Sequence, residues 1–127
     1  MFLLPLAWFG GGLAGSMFPH VPSLPAAALS FLLVGVLVAG DLRLPANAVS
    51  ALVVLIGFVH GFFNGAALNP GAGTLGLLGI MGMLFVLVAL ASAFVVSLRK
   101  PWARVAVRVA GSWVAASGLL LLGWSLR

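Results

Sequence analysis

The chain has 127 residues, 64% of them hydrophobic and 6% charged, with a mean hydropathy of +1.32. Soluble domains carry roughly a quarter charged residues, so a chain this apolar cannot cover an aqueous surface, and an all-α, polytopic helical membrane protein is expected, with residues 1–127 as a single transmembrane domain. Six basic residues against one acid give a net charge of +5, and cysteine is absent, which excludes disulfides, thiolate metal sites and cysteine nucleophiles. Because the basic residues fall between apolar runs, they read as topology signals and contacts to anionic lipid rather than to nucleic acid.

About five transmembrane helices fit the chain. The first covers residues 2–18 and is weakened by Gly10, Gly11, Gly12 and Gly15. It lacks a basic leader and a small-residue cleavage site, so it is expected to be retained rather than to act as a signal peptide. Pro19, Pro22 and Pro25 break helix firmly, and the second span follows over 24–40, with Pro25 in its first turn. After the turn 41–45 comes a third span over 46–64. A short polar turn at 69–73 leads to a fourth span over 75–98. Arg99, Lys100 and Pro101 end it, and a fifth runs over 102–126.

With five spans, Arg43, Arg99, Lys100 and Arg104 share one side with the amino terminus, and only Arg127 lies on the other. The positive-inside rule then predicts a multi-pass protein with a cytoplasmic amino terminus and its carboxyl terminus on the outer side. Arg108 lies on the face of Arg104 and is expected to snorkel back to the headgroups. Trp102 and Trp124 mark the two ends of the last span. His60, Asn64 and His20 all fall towards the outer leaflet.

The third span holds the best chemical clue. Gly57, Gly61 and Gly65 recur every four residues, as do His60 and Asn64, and that spacing stacks residues on one helix face. At 100° per residue, Asn47, Ser50, Gly57, His60, Gly61, Asn64 and Gly65 occupy an arc of about 140°. Val and Leu, with Phe62 and Phe63 nearby, take the other side, which is expected to face lipid. Two readings stay open. The strip can be a packing face, where glycines admit another backbone and an amide or imidazole bonds across it. It can also support a ligand or ion contact at His60, since an ionisable group within a span points to function. His20, between prolines, reads first as a residue of a solvated interfacial loop. Met81 and Met83 cannot grip one ion, because residues two apart on a helix point about 200° apart.

The lone carboxylate, Asp41, is expected in a solvated turn or paired locally with Arg43. The chain has no Ser-His-Asp set, phosphate loop or acid pair, so an enzyme is not expected.

Residues 4–15 (Leu-Pro-Leu-Ala-Trp-Phe-Gly-Gly-Gly-Leu-Ala-Gly) and 58–68 (Phe-Val-His-Gly-Phe-Phe-Asn-Gly-Ala-Ala-Leu) resemble the HupE/UreJ family of hydrogenase and urease accessory membrane proteins, as does the closing segment 108–122. The family motif is roughly His-Gly-x-x-His-Gly-x-Glu, in a membrane helix. His60 and Gly61 match its first pair and Gly65 its second glycine, but Asn64 stands at its second histidine and Ala67 at its glutamate. A second family signature, His-Pro-x-x-Gly-x-Asp-His, is absent. Members have about six spans after a signal peptide, so this chain looks like one that lacks the first. The resemblance implies a nickel/cobalt transport or accessory protein, with Ni2+ or Co2+ as the ion and His60, Asn64 and His20 as candidate metal contacts. The alternative is a structural membrane subunit that packs through Gly57, Gly61 and Gly65. The partners expected are the lipid bilayer and either a second copy or another membrane protein, with no nucleic acid.

Overall fold

The computed structural model describes residues 2–18, 25–68, 73–97 and 101–126. Five helices lie among them: α1 (Leu3–Ser16), α2 (Ala26–Ala39), α3 (Ala46–Ala67), α4 (Gly73–Ser97) and α5 (Pro101–Ser125). The fold is all-α. Prolines mark helix starts, where a missing N–H leaves no bond unmade. Pro25 and Pro45 are N-caps of α2 and α3, Pro101 opens α5, and Pro5 sits in the first turn of α1.

Three helices, α3, α4 and residues 102–125 of α5, are long and apolar enough to cross a membrane, and α2 is a shorter apolar helix. α1 and α2 have 14 residues each. At 1.5 Å per residue that is about 21 Å, short of a hydrocarbon core of about 30 Å. α3 continues one turn past its expected end, to Ala67, so His60 and Asn64 lie further inside the helix than the sequence suggests.

The chain divides into two compact units. Residues 1–23 and 45–95 form the first, in which α1 packs along α3. The glycines of α1 do not break it. Gly11, Gly12 and Gly15 are buried within a continuous helix, so the entropic cost of helical glycine is offset by close packing. Leu77 of α4 is 1% exposed and lies against the missing side chain of Gly12, where an added Cβ would stand 2.8 Å from its Cδ2. Phe2 stacks on Phe85 at 5.2 Å.

Residues 24–44 and 96–127 form the second unit, in which α2 packs along α5. A Cβ added to Gly118 would strike the backbone of Ala28 and Leu32, one on Gly35 the backbone of Ala115, and one on Gly111 the backbone of Ala39 and the side chain of Val38. Rising numbers on α2 thus meet falling numbers on α5, and the two helices run antiparallel. Serine hydroxyls on α5 bond back to their own helix, Ser112 to the Arg108 carbonyl at 3.1 Å and Ser117 to that of Trp113 at 2.9 Å. This satisfies them without water.

Candidate functional site

On α3, Gly57, Gly61 and Gly65 are all buried, and α1 lies against them. An added Cβ would collide with the carbonyl oxygen of Trp8 at Gly61 and with that of Gly12 at Gly65, and would come within 3.0 Å of the Leu4 carbonyl at Gly57. The contact is reciprocal. On α1, a Cβ at Gly11 or Gly15 would collide with the carbonyl of Phe58 or Phe62. Leu4, Trp8 and Gly12 advance by four residues as Gly57, Gly61 and Gly65 do, so the two helices are parallel and in constant register. At Gly61 and Gly65 backbone meets backbone, while at Gly57 the Ala7 and Leu4 side chains share the contact.

The face that α1 covers holds the three glycines of the expected arc but is turned away from its polar residues. It runs from Gly57 and Gly61 through Gly65 to the backbone of Phe58 and Phe62, whereas the sequence puts Phe62 on the lipid side. Phe62 instead lies beside α1 and Phe63, with its ring 6.1 Å from Phe18 and 5.8 Å from Phe63. The polar half of the arc falls to one flank. His60 is half-buried, Asn64 and Asn47 are exposed and Ser50 is half-buried. On a helical wheel, His60 points about 100° from Gly61. The Asn47 side chain turns to its own helix start, accepting the Ala48 N–H at 2.9 Å, one of the first-turn donors a helix cannot satisfy itself.

His60 and Asn64 are therefore brought together as neighbours one turn apart, beside the glycine contact rather than within it. His20, Arg99, Lys100 and Arg127 lie outside the described residues. Among the described residues, no three His, Cys, Asp or Glu side chains gather as a metal site. Met81 is half-buried and Met83 is 61% exposed.

A second polar centre, not anticipated from the sequence, sits at the end of α2. The Leu42 N–H bonds to the Leu37 carbonyl and the Asp41 N–H to that of Val38, both at 3.1 Å, with Asp41 at φ 51°. This is a Schellman ending in which Asp41 takes the left-handed position usually given to glycine. The Asp41 carboxylate pairs with Arg104 of α5, not with its neighbour Arg43. Arg108, one turn on, donates from Nε to the Ala39 carbonyl at 3.0 Å, a cation on the negative end of a helix dipole. The Arg104 hydrogen bond, with the nearby charges of Arg108 and Arg43, holds the Asp41 carboxyl below its ordinary range. Spacing alone hints at parts of these contacts, in Gly11 with Gly15 and in Gly111, Ala115 and Gly118, each set three or four residues apart.

No curated protein and no solved structure matches the chain. The HupE / UreJ protein family matches residues 1–121, which include the glycine-paired α1 and α3, His60, α2 and α5 as far as Leu121. The chain therefore belongs to the HupE/UreJ family of membrane proteins.

Proposed function

We propose that the chain handles a divalent transition metal, nickel or cobalt, within the bilayer, either in transport or as an accessory to metalloenzyme maturation, with His60 as a donor. One observation carries this reading. His60 is half-buried on α3, next in sequence to Gly61, whose backbone contact with Trp8 leaves α3 little freedom to rotate. A helix held in this way presents residue 60 on one flank of the glycine contact.

The donors of one chain do not fit a resident metal centre, which needs about four nitrogen, oxygen or sulfur ligands. A cargo ion has different needs, because it must bind weakly enough to leave. His60 and the Asn64 amide oxygen, one turn apart, suit such a passing contact, with further donors supplied by a second copy or a membrane partner. Nickel or cobalt uptake into proteoliposomes tests this. His60→Ala should abolish uptake, His20→Ala should reduce it modestly, and Asn64→His should raise it by adding an imidazole one turn away. No uptake by the wild type and none by Asn64→His would sink the metal reading. The chain would then be a structural subunit, a reading supported by the contact of Gly57, Gly61 and Gly65 with α1.

We infer the orientation from charge: amino terminus cytoplasmic and carboxyl terminus periplasmic, in a bacterial inner membrane. The helix pairs support up-and-down alternation, since helices one and three should then be parallel and helices two and five antiparallel. A reporter fused after Arg127 should read as periplasmic, and one inserted at residues 99–101 as cytoplasmic. The reverse pattern would overturn the orientation.

A further inference from the structure

We propose that the end of the α2–α5 pair binds the phosphate of an anionic phospholipid through Arg43 and Arg104, with Arg108 positioned behind them. All four Asp, Glu, Lys and Arg residues that the structure describes, Asp41, Arg43, Arg104 and Arg108, belong to this unit, and the described residues of the first unit carry none. Three guanidinium groups share one carboxylate, so two positive charges remain uncompensated. Arg104 is paired with Asp41 yet its side chain is 59% exposed, and Arg43 is exposed two residues beyond Asp41.

The carbonyls at the end of α2 would repel an anion if left bare. Those of Leu37 and Val38 accept turn N–H groups, and that of Ala39 accepts from Arg108. These three carbonyls therefore do not meet an incoming anion unpaired, and the acceptor that competes for the arginines is the Asp41 carboxylate. Trp102, 61% exposed and two residues before Arg104, adds an amphipathic ring of the kind that settles at headgroup depth. Soluble acidic partners would feel the same charge. The apolar lengths of α2 and α5 running away from the cluster fix its depth in the bilayer, and that favours a lipid phosphate. Each basic group near an anionic headgroup should strengthen binding about fivefold.

Native mass spectrometry of the full chain, released from micelles with equal phosphatidylglycerol and phosphatidylcholine, tests the proposal. The wild type should retain phosphatidylglycerol preferentially. Arg43→Gln should lower that preference about fivefold, Arg43→Lys should keep most of it, and Asp41→Asn, which removes the competing carboxylate, should raise it. Arg43 makes none of the α2–α5 contacts described, so its loss should leave the fold intact. Equal retention of the two lipids, or a preference unmoved by both Arg43→Gln and Asp41→Asn, would overturn the site. Displacement of the lipid by equimolar inorganic phosphate would overturn the lipid as its occupant, whereas resistance to it supports a membrane source.

Discussion

The α1–α3 and α2–α5 pairs each set a 14-residue helix against a longer one, of 22 and 25 residues, yet they are held together differently. In the first, the helices are parallel, and Gly61 and Gly65 on one side and Gly11 and Gly15 on the other each meet backbone. In the second, they are antiparallel, small residues meet a mixture of backbone and side chain, and an ion pair and an arginine-capped carbonyl tie one end. Helices in lipid gain no hydrophobic free energy by meeting, so close packing and polar ties must supply the association. Parallel helix dipoles oppose each other while antiparallel ones attract. The parallel pair thus depends more on the closeness of its contact, and the antiparallel pair has charge as a second support.

The largest loss of stability is expected at Gly61. Its missing side chain faces the Trp8 carbonyl, which is backbone and cannot turn aside. Gly61→Leu should cost about 3 kcal/mol, the upper part of the usual range for overpacking, seen as a large fall in melting temperature in detergent. Gly35→Leu, against the backbone of Ala115, should cost less, because the polar tie at the end of α2 remains. Gly12→Ala should cost about 1 kcal/mol, since the atom it meets is the movable end of Leu77. At Gly10 nothing lies within 4 Å, so Gly10→Ala should be neutral or stabilising by about 0.5 kcal/mol. Leu55→Ala, at a side chain 60% exposed, is the control. If Gly61→Leu loses no more than this control, close approach is not what holds α1 to α3.

The sequence makes one side of that contact legible and hides the other. Spacing of four residues is a local signal, and it marks Gly57, Gly61 and Gly65 as a strip before any partner is known. Gly11 and Gly15 carry the same spacing, but judged by propensity alone they read as a weak helix, because the compensation comes from α3, more than forty residues away. The same limit applies at Asp41. Arg43 is its neighbour in the chain, whereas Arg104, its actual partner, is 63 residues away and meets it only once α2 and α5 are antiparallel. The offset of His60 from the α1 contact is hidden too. A wheel gives the angle between His60 and Gly61, but it does not say on which side of the glycines the neighbouring helix will settle.

The smallest effect concerns charge, which should matter to α2–α5 and not to α1–α3. Asp41 has its carboxyl held below the ordinary range, first by the hydrogen bond from Arg104. A depressed carboxyl contributes stability that is present above its unfolded pKa, roughly 4, and is lost as pH falls through the folded value. The melting temperature of the wild type should therefore decline as the pH is lowered from about 5 towards 3. Asp41→Asn separates charge from backbone, because asparagine tolerates the left-handed φ of 51°. It should melt slightly lower at neutral pH and lose this part of the acid decline. Asp41→Gly removes the carboxylate and also relieves the left-handed backbone, so at neutral pH it should melt at or above Asp41→Asn. Both groups of the pair are well exposed, so each shift should be smaller than that of Gly61→Leu. An acid decline of equal size in the wild type and Asp41→Asn would show that the Arg104 pair adds nothing to the second unit, leaving packing and the Arg108 cap on the Ala39 carbonyl to hold it.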